Sequence, residues 1–159
     1  NSVDMVATTP HWTEYVSSLG PLLVAVFIAY VAYQQWVVNK ANLRERLFEK
    51  RFELFKQTQR FLTSIMQSAS VEDDQLPDFF DAVQRSRFLF GKDIQDYLDE
   101  IRKRALQMRM YKVKLERLEV GPKRSKIVEL ENRELTWLIE QGSVVFKKFG
   151  PYLSFGKNK

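Results

Sequence analysis

With 159 residues and 45% hydrophobic content, the chain has material for about one domain beyond any membrane segment, which leaves little room for a multidomain enzyme. The absence of cysteine excludes disulfides, thiolate metal sites and cysteine nucleophiles. A formal net charge of +5 favours anionic partners such as phosphates, nucleic acid or lipid head groups.

No residue between Glu14 and Lys40 is charged. Leu19 to Val38 supplies ~20 mostly apolar positions, the length a helix rising 1.5 Å per residue needs to cross ~30 Å of hydrocarbon. A core helix of a small domain would keep a polar face, and Leu22 to Tyr33 keeps none. The stretch 19–39 therefore reads as a transmembrane helix, with belt aromatics Trp12 and Tyr15 on one flank and Tyr30, Tyr33 and Trp36 toward the other. Residues 1–18 hold no Lys or Arg, whereas Lys40, Arg44, Arg46, Lys50 and Arg51 crowd the far side. The positive-inside rule then places residues 1–18 outside or in the interface and the remainder in the cytoplasm, a single-pass topology suited to a bacterial inner membrane.

Beyond the membrane the apolar spacing is helical. Leu43, Leu47, Leu54, Phe61 and Ile65 share one line, with Phe48, Phe52, Phe55, Leu62 and Met66 beside it, so the first helix continues to about Ser68. A loop carrying Glu72, Asp73 and Asp74 leads to a second helix over 77–88, expected to bury Phe79, Phe80, Val83 and Phe88. Gly91 closes it, and Asp93 is the expected N-cap of a third helix whose stripe is Ile94, Leu98, Ile101, Ala105, Met108 and Leu115. The breaker "VGPK" precedes a last helix from about Arg124 to Phe149, ended by "FGPY". The expected fold is all-α: one N-terminal transmembrane helix continuing into a cytoplasmic four-helix bundle over 40–150, with a tail at 151–159.

"LRERLFEKRFELF" at 43–55 and "RFLFGKDIQDYLDEI" at 87–101 resemble an uncharacterised bacterial family of single-pass membrane proteins with a helical cytoplasmic domain. The likeness runs from the membrane helix to Met108 and implies no catalytic residues. Small membrane-anchored bacterial proteins of this plan often serve antiviral defence, as do retron, cyclic-nucleotide and CRISPR-associated effectors that damage the inner membrane.

The one histidine, His11, lies on the far side of the membrane helix, so no His-based triad or histidine metal site can be assembled in the cytoplasmic part. Asp96, Asp99 and Glu100 bring carboxylates together on one helix, but a solvated acidic face explains them better than a divalent-ion site. "FGKD" lacks the first glycine and the Ser/Thr of a phosphate loop. The expectation is a non-enzymatic protein without metal or cofactor.

From Arg102 to Lys126 ten basic residues face only Glu116 and Glu119, a local charge of +8 that leaves the rest of the chain net acidic. Arg102, Lys103, Arg104, Arg109, Lys112, Lys114 and Arg117 are the candidate anion-binding side chains, with Tyr111 offered as a base-stacking platform. RNA or a cyclic oligonucleotide, anionic lipid head groups, and the acidic stretch 72–81 of another subunit all fit this charge. In the membrane, Ala25 and Ala29 form a small-xxx-small pair, and Gln34 and Gln35 could bond across helices, which suits a homo-oligomer. A helix of about 45 residues, ~70 Å long and without Gly or Pro after Pro21, would pass motion from the soluble part into the membrane. The expected function is a ligand- or partner-gated membrane effector; the alternative is a passive inner-membrane anchor for a cytoplasmic protein complex.

Overall fold

A computed structural model describes residues 12–154, all in helices or short connections. The helices are α1 (Trp12–Ser68), α2 (Leu76–Leu89), α3 (Lys92–Arg117) and α4 (Pro122–Leu153). His11 and the rest of 1–11 lie outside the described residues, as does 155–159. The chain divides into two compact units, Asn1–Glu45 and Arg46–Lys159.

In the first unit α1 is helical at every described residue, Pro21 included. It is long and apolar enough to cross a membrane, and none of its most apolar window is buried by protein. Leu22, Leu23, Val24, Val26, Phe27, Ile28, Tyr30 and Tyr33 are all exposed. Near the end of this stretch the Tyr33 and Trp36 rings pack at 6.3 Å, and the Lys40 ammonium stands 5.0 Å over Trp36.

The second unit is built around a core to which all four helices contribute. From α1 come Leu54, Phe55, Phe61, Leu62 and Ile65. Phe61 stacks on Phe79 of α2 at 4.2 Å, and Phe55 meets Phe146 and Phe149 of α4, so the wide apolar face of α1 has two neighbours, as its breadth requires. Leu43, Leu47, Phe52 and Met66, read with that face, stay exposed. Ala69, in the left-handed region at φ 52°, closes α1 with its N–H bonded to Ile65 O.

Three details differ from expectation. Phe88 is 88% exposed, because at 100° per residue it lies opposite Phe79 on α2; Phe90, just past the helix end, enters the core in its place. Gly91 rather than Asp93 precedes α3, and the Asp93 carboxylate accepts the Tyr152 hydroxyl at 2.6 Å. "FGPY" does not stop α4. Pro151 has no N–H to give, but it forfeits only one bond so near the end, and Tyr152 and Leu153 pack against the core.

The Tyr152–Asp93 bond belongs to a clasp at one end of the unit. Arg51 Nε donates to Leu89 O at 2.9 Å, and its guanidinium lies over both Phe90 and Tyr152. Gly91 fits closely there: a Cβ would come within 2.8 Å of the Tyr152 hydroxyl and 2.9 Å of the Asp93 carboxylate, so these side chains would have to shift.

The interior offers little to a ligand. The buried Thr58, Ser86 and Gln141 side chains each donate to a carbonyl of their own helix. Tyr97 is the exception: its hydroxyl is buried without a hydrogen-bond partner among the described residues, and burial pushes its phenol well above the usual range. Tyr97→Phe is expected to leave the stability of the unit unchanged or raise it by about 1 kcal/mol. A phenol raised in the fold stabilises below its unfolded pKa and loses that contribution at higher pH, so Tyr97→Phe should also weaken the stability loss above about pH 10. Denaturation followed by circular dichroism at pH 8 and pH 11 measures both effects.

Candidate functional site: the basic hairpin of α3 and α4

The helices α3 and α4 run antiparallel, joined by the short connection at 118–121. Arg104 meets Glu134 and Trp137, Lys148 covers Tyr97, and Tyr152 meets Asp93, a succession that fixes the direction. Arg109 pairs with Asp73 of the α1–α2 connection at 2.9 Å. This contact lies at the end of the unit opposite the Arg51 clasp, and the α3–α4 turn projects past it. Arg124 ties the turn together, donating to Leu115 O and, at 2.8 Å, to Leu118 O, two carbonyls that the end of α3 leaves without helical partners.

The ten basic residues thus separate into two sets. Arg102 bonds Asp99 at 3.1 Å. Arg104 bonds Glu100 at 2.7 Å and Glu134 at 3.2 Å while its guanidinium lies 4.3 Å over the Trp137 ring. The Glu100 hydrogen bond is the largest influence keeping Arg104 charged, and it raises an already high pKa. With Arg109 and Arg124, these arginines serve the fold. The carboxylates considered as cation ligands, Asp99 and Glu100, are engaged by Arg102 and Arg104.

Lys103, Lys112, Lys114, Arg117, Lys123 and Lys126 are exposed and have no ion-pair partner among the described residues. They are the cations available to a partner. The structure does not leave Tyr111 free as a stacking platform: its ring is buried on the inner side of α3, and its hydroxyl accepts from Gln107 at 2.9 Å. The acidic loop expected to meet this stretch from another subunit is reached within the same chain, by Arg109 and Asp73.

Of the proposed membrane-interface residues, Ala25 and Ala29 are exposed, and Gln34 donates to the Tyr30 hydroxyl of its own helix at 2.9 Å. Gln35 lines a shallow groove with Phe27, Ile28, Val31 and Ala32. In the second unit a groove of about 260 Å³ between α1 and α2 is lined by Gln57, Arg60, Phe61, Gln75, Asp78 and Phe79. It is smaller than the ~300–1,000 Å³ usual for a small-molecule site, while open grooves of about 390 Å³ along α1 from Phe48 to Arg60 and about 300 Å³ beside Phe88 reach the lower end of that range.

Sequence reasoning found the basic stretch but not its division, because the partners Asp73, Glu134 and Trp137 lie on other elements. Comparison with protein-family models, with curated proteins and with solved structures gives no match.

Proposed function

We propose that this chain is a non-enzymatic, membrane-anchored helical protein that self-associates and acts as a partner-gated membrane effector, in the plan of small bacterial defence proteins. In this reading the apolar part of α1 crosses the inner membrane once with the N-terminus outside, and the second unit is a four-helix bundle in the cytoplasm. The observation that carries it is the bare apolar surface from Leu22 to Val38. So large an exposed patch is unfavourable in water, and only lipid or the same segment of other copies would cover it on every side. α1 then continues without Gly or Pro into the residues that form the core of the second unit, which gives partner binding a route to the membrane segment. Walls of Phe, Val, Ala and Leu without charge suit bilayer disruption better than selective conduction.

The second reading, a passive anchor for a cytoplasmic complex, is favoured by the unpaired cations of the α3–α4 hairpin, which could hold a partner without any action on the bilayer. Expression of the full chain in bacteria carrying a potential-sensitive dye separates the two. The effector reading expects depolarisation at high expression, lost when a Gly-Gly-Ser hinge is inserted after Asn39 although the protein stays in the membrane fraction. Full potential at every expression level, with a partner co-purifying, would leave the anchor.

A further inference from the structure

The inner face of α3 is accounted for by the core: Ile94, Leu98, Ile101, Ala105, Met108, Tyr111 and Leu115 are buried. The helix carries a second apolar stripe on the other side. Leu106, Met110 and Val113 follow one another at spacings of four and three, the spacing of neighbours on one helix face. Met110 is 52% and Val113 41% exposed, and Leu106 is half-buried. At 100° per residue, Lys103, Lys114 and Arg117 fall with them inside about 100° of arc, roughly opposite the core. From Lys103 to Arg117 no acidic side chain lies within that arc; Asp96 and Asp99 enter it nearer the start of the helix, where Asp99 is held by Arg102. This part of the face is therefore an apolar line framed by three cations that have no ion-pair partner among the described residues.

We propose that this outer face of α3 is a docking surface for a protein segment that pairs apolar side chains with carboxylates, an acidic amphipathic helix being the form that fits best. Charge complementarity sets the sign: Lys103, Lys114 and Arg117 await anions. The apolar line sets the kind. A nucleic-acid backbone would satisfy the cations but leave Leu106, Met110 and Val113 unmatched, and the one aromatic of this stretch that could stack a base, Tyr111, is buried. A carboxylate-flanked apolar helix matches both features, in the manner of helix recognition through anchors at i, i+4 and i+7. Met adds to the fit, being a side chain that adapts to the shape laid on it. Anionic lipid is the competing occupant, and the vesicle competition below separates it from a protein segment. The proposal names the class of partner for the partner-gated reading above. Its test is binding alone, so it can fail or succeed without reference to depolarisation.

The test uses the full chain in nanodiscs of zwitterionic lipid and fluorescence anisotropy with three probes. These are an 18-residue Glu-flanked amphipathic peptide with leucines at i, i+4 and i+7, a scrambled isomer of the same composition, and a 20-nucleotide single-stranded RNA. The expected result is a Kd for the amphipathic peptide at least tenfold below that of the scrambled one. Met110→Asp/Val113→Asp should abolish the difference, and Lys114→Glu/Arg117→Glu should weaken the peptide at least tenfold while preserving helicity by circular dichroism. Equal binding of the two peptides would reduce the face to a charge patch and overturn the proposal. Tighter binding of the RNA than of the amphipathic peptide, or peptide binding that survives both double variants, would overturn it too. So would competition of the peptide by anionic vesicles of phosphatidylglycerol but not by zwitterionic ones, which would assign the face to lipid.

Discussion

Phe79→Ala is expected to lower the stability of the helical core by about 3–5 kcal/mol, whereas Phe88→Ala, nine residues on in the same helix, should change it by no more than about 0.5 kcal/mol. Phe79 is fully enclosed, its ring nearly parallel to that of Phe61 at 4.2 Å between centroids. Truncation removes the transfer free energy of a phenyl group and leaves a cavity beneath Phe61, and α2 is too short at 14 residues to collapse into it without giving up its other contacts. Against a total of about 5–15 kcal/mol for a domain of this kind, the loss is a large fraction. Phe88 meets solvent on almost every side, so its removal costs almost nothing. Chemical denaturation of the two variants in detergent, followed by circular dichroism, gives the comparison. Equal losses would mean that α2 turns a different face to the core.

That pair also marks what the sequence could convey. Helix spacing located all four helices, since apolar residues three and four apart and the breaks at Gly91 and Gly121 depend only on neighbours along the chain. It failed at Phe88 because apolar character alone does not say which side of a helix is inward; the angle from Phe79 decides it. The third helix carries two stripes, and only one was read. Tyr111, three residues after Met108 and four before Leu115, fills the gap between those two members of the stripe, so the signal that it was a core residue stood in the spacing. With Tyr111 returned to the core, Leu106, Met110 and Val113 stand out as apolar residues without an inward role.

The division of the basic stretch was less legible. Arg104 is held by Glu100 on its own helix, which an i, i+4 rule anticipates, but also by Glu134 and Trp137, which come from α4. Arg109 is held by Asp73 from a loop 36 residues earlier. No local pattern announces such partners, because they are set by how the helices pack. Pro151 shows the reverse failure: a residue that disfavours helix is accommodated because tertiary contacts of Tyr152 and Leu153 outweigh one missing bond at a helix end.

The apolar segment admits a decisive test. On insertion scales Leu, Ile, Phe and Val each favour the membrane by about 0.3–0.6 kcal/mol, whereas one Arg at the helix centre costs about 2.5–3.5 kcal/mol. Leu22, Leu23, Val24, Val26, Phe27, Ile28, Val31, Val37 and Val38 together favour insertion by roughly 4 kcal/mol at most on that scale, a total from which the polar Gln34 and Gln35 subtract. A single Arg near Phe27 would bring the segment close to balance, and two would reverse it. Val24→Arg/Ile28→Arg is therefore expected to move the chain from the carbonate-resistant membrane fraction to the extractable fraction, while Val24→Leu/Ile28→Leu stays with the membrane. Val24 and Ile28 are exposed and belong to the first unit, so the helical signal of the purified variant should persist. An unsubstituted chain that is itself extracted by carbonate would place this segment outside the bilayer, and its exposed surface would then have to be covered by protein.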